Sequence, residues 1–190
     1  MNYVLILVAR IDARSCISPF CDIFVLLFAH AMKREEAQGQ PDPDWKNNGI
    51  RIVHADELDM NTPQTPGMTR AAAITRASAG ASKLWAGTVT VEPDAKTGAH
   101  HHGELDSVLY VVRGRARFRW GDRLEFVAEA GPGDFIYVPP FVPHQEINAS
   151  LDTVTEVVVV RSGQEPIVVN LDIVSPESSA VKWVDDIHRV

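Results

Sequence analysis

Four histidines in two short segments are the residues of this chain whose spacing most clearly suggests chemistry. The first segment reads GAHHHGELDS, with His100, His101 and His102 in a row and Asp106 four residues later. Alternate side chains of a strand point to the same face, so His100 and His102 would lie together. Two imidazoles and one carboxylate are donors that suit first-row divalent ions. The segment therefore predicts a metal site.

The fourth histidine, His144, adds a ligand from a second segment, GPGDFIYVPPFVPHQEIN. Proline restricts the backbone, so the prolines before His144 are expected to hold it stiffly. The metal would be Mn, Fe, Zn or Ni. The predicted metal ligands are His100, His102, Asp106 and His144.

The two segments lie among runs that are typical of β-strands, and Gly or Pro separates most of these runs. Many short strands at such spacing predict an all-β sandwich or barrel. The predicted strands cover residues 84–91, 108–112, 115–120, 124–130, 134–139, 154–160 and 166–174.

The run RARFRW, residues 115–120, alternates apolar and basic side chains and predicts one arm of a hairpin. A three-residue turn over 121–123 would keep the apolar residues on one face, with Phe118 opposite Phe126 and Trp120 opposite Leu124. The arginines would then form a solvated face with cross-strand ion pairs.

The two histidine segments resemble the two motifs of the cupin superfamily, over roughly residues 83–162. The first motif has two histidines two apart, an acidic residue and a closing glycine, matched here by His100, His102, Asp106 and Gly114. The second motif is matched by Gly133, Pro139, His144 and Asn148. The resemblance implies a double-stranded β-helix, the jelly-roll barrel of cupins, with a metal near one mouth.

Two positions depart from the family pattern. Ser107 occupies the position of the usual acidic ligand, and Phe141 occupies that of a glycine. Asp106 could reach the metal through a local bulge, or the three histidines could hold it with Ser107 or water at the acidic position. A strand shifted by one residue would bring His101 into the site instead.

The resemblance implies a metal-binding cupin that acts on or binds a small polar metabolite, but it leaves the reaction open. One hypothesis is a metal-dependent enzyme, such as a dioxygenase or a sugar-isomerase-like enzyme. The alternative is a non-catalytic cupin that binds or senses a small molecule.

The chain has 190 residues, a hydrophobic content of 45% and a formal net charge of -7. This acidic balance predicts neither a nucleic acid nor a membrane partner. Cys16 and Cys21 do not suggest a disulfide framework, and the N-terminal apolar runs are too short to span a bilayer as helices. We therefore expect a cytoplasmic protein.

The domain boundaries follow changes in composition. Residues 1–48 are expected to be an extension of doubtful structure, residues 49–82 an N-terminal arm, and residues 83–190 the cupin barrel with its C-terminal strands and tail. The extended arm could add a strand to its own sheet or reach a second subunit. The expected assembly is a homodimer with these arms at the interface.

Overall fold

The computed structural model of the chain describes residues 44–174, 176 and 180–184. The chain divides into two compact units, Met1–Ile50 and Arg51–Val190. Most of the predicted N-terminal extension, residues 1–43, lies outside the described residues, as do Cys16 and Cys21. The described end of the first unit contains one short helix, α1 (Trp45–Asn48), whose N-cap is Asp44.

The second unit consists mainly of strands, which confirms the all-β prediction. Its described residues include a 3-10 helix (Ala55–Glu57) and the short helix α2 (Arg76–Ala79). No helix in the described ranges is long and apolar enough to cross a membrane. The strands are β1 (Met68–Ile74), β2 (Leu84–Val91), β3 (His100–His101), β4 (Ser107–Arg113), β5 (Ala116–Trp120), β6 (Phe126–Ala130), β7 (Phe135–Val138), β8 (His144–Asn148), β9 (Thr155–Ser162), β10 (Val169–Asn170) and β11 (Lys182–Trp183).

These strands form two sheets. One has the order β1-β2-β9-β4-β7, and the other has the order β10-β3-β8-β5-β6-β11. The apolar core lies between them, because alternate residues of both sheets point inward. Leu109 and Val157 of the first sheet pack in one cluster with Ala116 and Phe118 of the second.

The C-terminal part of the predicted arm joins a sheet of its own chain. β1 pairs antiparallel with β2, and Met68 lies opposite Val91. Asp59 forms a further bridge to Ala72. Of the two fates considered for the arm, addition to its own sheet is the one seen within the chain, and the homodimer stays a prediction.

The hairpin between β5 and β6 differs from the predicted register by two residues. Phe118 pairs with Ala128, and Trp120 pairs with Phe126 rather than with Leu124. The connection is longer than predicted, and within it Leu124 is fully buried with a positive φ of 56°. A shift of two residues leaves every side chain on its predicted face, so the apolar alternation alone did not distinguish the two registers.

Candidate metal centre

Two neighbouring strands bring the predicted histidines together. His100 in β3 lies directly opposite His144, the first residue of β8. His102 follows β3 and shares the face of His100. The ring centroid of His144 lies 4.4 Å from that of His100 and 5.1 Å from that of His102.

A carboxylate that the sequence reasoning missed completes this cluster. Glu146 lies two residues after His144 on β8, and strand periodicity places both on one face. Each of the four side chains offers one ligand atom, and these atoms all lie within 4.8 Å of one another. The same two-residue spacing that indicated His100 and His102 could have identified Glu146.

Backbone carbonyls determine the tautomer of all three rings. The Nδ1 atoms of His100, His102 and His144 lie 3.0, 2.9 and 2.8 Å from the carbonyl oxygens of Gly98, Ile167 and Val142. A carbonyl can only accept, so each Nδ1 carries the proton and each Nε2 keeps a lone pair. Metal-binding histidines are oriented in this way.

His144 Nε2 is the best test of whether an ion would fit. This atom is buried and has no hydrogen-bond partner among the residues that the structure describes. Glu146 Oε1 lies 3.9 Å away from it. A divalent ion would satisfy both groups, so the cluster could hold a metal.

Burial keeps the histidines in the form that binds metals. Desolvation, helped by the nearby Arg161 cation, lowers the pKa of His102 from 6.5 to about 3. Desolvation and the neighbouring His100 also lower the pKa of His144. Both rings are therefore neutral at physiological pH, which is the form in which an imidazole can bind a metal.

The structure does not bring the predicted ligand Asp106 into this cluster. Its Oδ1 accepts a hydrogen bond from the Tyr137 hydroxyl at 2.5 Å, and this bond raises the pKa of Tyr137. The Asp106 amide donates to Ser162 Oγ at 2.9 Å. Asp106 therefore joins β4 to β7 and β9.

His101 also lies outside the cluster. Its Nδ1 accepts a hydrogen bond from the Gly103 amide at 2.9 Å, and its ring lies 5.8 Å from that of Phe141. Phe141 has a positive φ of 60°. The turn thus keeps the left-handed conformation that the family's usual glycine would adopt at this position.

A cavity of about 340 Å³ leads to His144. Phe118 and Trp120 of β5 line it together with Ile136 and Val138 of β7. The cavity is large enough for a small organic ligand. Its mainly apolar walls suit a ligand with an apolar part and a polar end near the histidines.

The comparisons with known proteins agree with this geometry. Residues 87–161 match the family of the cupin domain. No curated protein sequence matches the chain.

Solved structures share the fold at low sequence identity. The polyketide cyclase RemF from Streptomyces resistomycificus aligns with a TM-score of 0.55 and 23% identity, over 66% of this chain and 87% of that one. A protein from Klebsiella pneumoniae with a double-stranded β-helix domain aligns with a TM-score of 0.50 and 17% identity, over 65% and 98%. Oxalate decarboxylase from Bacillus subtilis aligns with a TM-score of 0.53 and 18% identity, over 64% and 32%.

At these identities the structural similarity shows the fold alone, which is the predicted double-stranded β-helix. The match to the cupin domain adds the sequence relationship, and it includes both histidine segments. Residues 87–161 of the chain therefore match a cupin domain, and the chain has the double-stranded β-helix fold.

Proposed function

We propose that this protein is a metal-dependent enzyme that acts on a small organic metabolite. A divalent ion, Mn, Fe, Zn or Ni, would be held by His100, His102, His144 and Glu146. The observation that supports this most directly is the set of three Nε2 lone pairs, each produced by an Nδ1 bond to a backbone carbonyl.

Three neutral imidazoles and one carboxylate leave positions open to a substrate on a six-coordinate ion such as Mn, Fe or Ni, and an open position is typical of catalytic rather than structural sites. A bound ion would supply Lewis-acid or redox chemistry. The chain's own contribution is orientation and exclusion of water. The cavity beside His144 would receive the apolar part of the substrate and direct its polar end to the ion.

Elemental analysis of protein purified without oxygen tests the site. We expect a stoichiometric divalent ion in the wild type and at least about a 100-fold loss of affinity in His144→Ala, because even outer partners of metal ligands contribute about 10–100-fold. His101→Ala is the matched control and should keep the ion. Full metal content in His144→Ala would contradict the site.

Turnover of a panel of small metabolites by the metal-loaded protein tests the enzymatic part of the proposal. We expect product formation that disappears when a chelator removes the ion. Saturable binding of a metabolite without any turnover would support the alternative, a cupin that binds or senses a small molecule.

A further inference from the structure

Ser107 and Arg161 form a polar pair at one end of the barrel interior. They lie opposite each other on β4 and β9. Each side chain points to the inward face of its strand. Leu109 lies two residues after Ser107 on β4, and Val159 lies two residues before Arg161 on β9. Leu109 and Val159 belong to the apolar core, so Ser107 and Arg161 place a hydroxyl and a guanidinium next to it.

Both side chains are buried and incompletely partnered. Ser107 is 2% exposed and Arg161 is 8% exposed. Neither Ser107 Oγ nor Arg161 Nε has a hydrogen-bond partner in the part of the chain that the structure describes. An unsatisfied buried polar group destabilises the folded protein. Such a pair is explained if a ligand completes its hydrogen bonds.

Arg161 points toward the candidate metal centre. Its Nη2 donates to His102 Nε2 at 3.0 Å, which is the lone pair that would bind the ion. The charge of Arg161 offsets that of Glu146, which attracts it. A divalent ion would therefore leave the buried site doubly positive, and a buried charge of this size favours an anionic partner.

We propose that Arg161 and Ser107 form a carboxylate-binding subsite beside the metal, so that the ligand of this cupin is a small carboxylic acid. One carboxylate oxygen would face the guanidinium and the Ser107 hydroxyl, and the other would face the ion. A carboxylate matches the planar donor fork of arginine. The metal contact rests on the proposed function, whereas the contact with Arg161 does not.

The cavity supports the same orientation of the ligand. His144 lines the cavity, and the ring of His102, which Arg161 contacts, lies 5.1 Å from that of His144. A ligand in the cavity would therefore turn its charged end toward Arg161 and leave its apolar part against Phe118 and Trp120.

Calorimetric titration of the full chain with pyruvate tests the subsite, with the neutral analogue pyruvamide as a second titrant. We expect Mn²⁺-loaded wild type to bind pyruvate at least about 10-fold more tightly than pyruvamide, the loss expected for a charged hydrogen bond. Arg161→Met should bind pyruvate at least about 10-fold more weakly than wild type, and any preference over pyruvamide that it keeps would come from the ion. Arg113→Met is the matched control, because Arg113 is exposed and pairs with Glu156 on the surface.

Ser107→Glu provides a second test that keeps Arg161. The new carboxylate would lie opposite the guanidinium and compete with pyruvate, so pyruvate affinity should fall by about 10-fold or more. This variant remains informative if Arg161→Met does not fold.

Metal affinity without pyruvate separates this proposal from the proposed function. Arg161→Met should bind Mn²⁺ at least as tightly as wild type, because His102 Nε2 no longer accepts from a cation. If wild type binds no metal, the proposed function fails, and Arg161-dependent binding of pyruvate to the metal-free chain would still support the subsite. Three outcomes would overturn the subsite. Wild type and Arg161→Met could bind pyruvate equally tightly, wild type could bind pyruvate and pyruvamide equally tightly, or wild type could fail to bind pyruvate at about 10 mM.

Discussion

At the scale of single residues, the main chain rather than other side chains prepares the candidate metal centre. The carbonyls of Gly98, Val142 and Ile167 orient the three rings. A backbone acceptor holds a ring in one tautomer regardless of the neighbouring side chains. One candidate ligand atom of each ring therefore lies within 4.8 Å of the others before any ion arrives.

Glu146 and Asp106 differ in their predicted effect on metal binding. Glu146→Gln should weaken metal affinity by about 10-fold or more, because the ion loses a charged donor that belongs to the cluster. Asp106→Asn should change it little, because the Asp106 carboxylate is engaged by Tyr137. Competition with a metal-sensitive dye would measure both affinities. The reverse ranking would restore Asp106 as the ligand, as the sequence analysis predicted.

The lowered pKa of His102 predicts how the stability of the metal-free protein depends on pH. Its pKa is lowered from 6.5 to about 3, so the unfolded chain takes up a proton in this window and the folded chain does not. The contribution of neutral His102 to the free energy of unfolding should therefore be complete above pH 6.5. It should decrease as the pH falls toward 3, by up to about 1.4 kcal/mol per pH unit.

Urea unfolding between those pH values would measure this slope. His102→Gln removes the titrating group and should show a shallower slope, which separates His102 from the carboxylates that titrate in the same range. Identical slopes in the two proteins would contradict the prediction.

At the scale of the elements, one face of β8 carries two residues of the candidate site and a residue that contacts neighbouring strands. His144, Glu146 and Asn148 alternate along this strand. Asn148, which matches the last residue of the second cupin motif, is buried, and its Nδ2 lies within 3.1 Å of the carbonyls of Val91, Glu92 and Thr153. Its Oδ1 accepts from Thr155 Oγ1 at 2.9 Å. Asn148 thus ties β8 to β2 and β9.

Asn148→Ala should destabilise the protein by about 2–4 kcal/mol, because several buried groups would lose their partners together. Urea unfolding of the metal-free protein would measure the loss. Asn170→Ala is a suitable control because Asn170 is exposed in β10. A loss below about 0.5 kcal/mol, typical of a surface substitution, would contradict the role of Asn148.

At the scale of the whole molecule, the outer face of the first sheet carries an apolar patch formed by Val108, Tyr110, Val112, Phe135 and Tyr137. Phe135 is 73% exposed and Tyr137 is 59% exposed. Tyr110 and Phe135 contact each other, and Val108 lies opposite Tyr137. Exposed apolar patches of this kind often mark protein interfaces.

The predicted homodimer would use this patch together with the edge at β1. Light scattering should give twice the chain mass for wild type, and Tyr110→Asp should shift the protein to monomer because it places a charge in the buried contact. Leu151→Asp is the control, since Leu151 is exposed in a loop outside the patch. A monomeric wild type would contradict the dimer.

Two truncations would distinguish the contribution of the patch to the dimer from that of the arm. Removal of residues 1–48 should leave the dimer intact, whereas removal through Ile74 also deletes β1 and exposes the edge of β2. The second truncation should therefore produce monomer or aggregate. An insoluble first truncation would mean that residues 1–48 are needed for folding.

The sequence alone determined β2, β4, β5, β6, β7, β9 and the pairing of the histidines, because these depend on local periodicity. It did not predict β1, β3, β8 or β11, and of the predicted run 166–174 only Val169–Asn170 forms a strand. The bounds of β2, Leu84–Val91, coincide with the predicted run. The spacing of His100 and His102 indicated a shared face for the same reason. The alternation of apolar and polar residues predicts a strand reliably, since one face of each strand must pack against the core.

Only the tertiary structure decided which groups complete the site. Asp106 and Glu146 are both carboxylates near histidines in the sequence, and their distances from the other motif depend on how β3 pairs with β8. Arg161 reaches His102 because the sheet that contains β9 packs against the sheet that contains β3. Such contacts arise from pairing between distant strands, and the local pattern of a strand does not specify its partner or, as in the β5–β6 hairpin, its register.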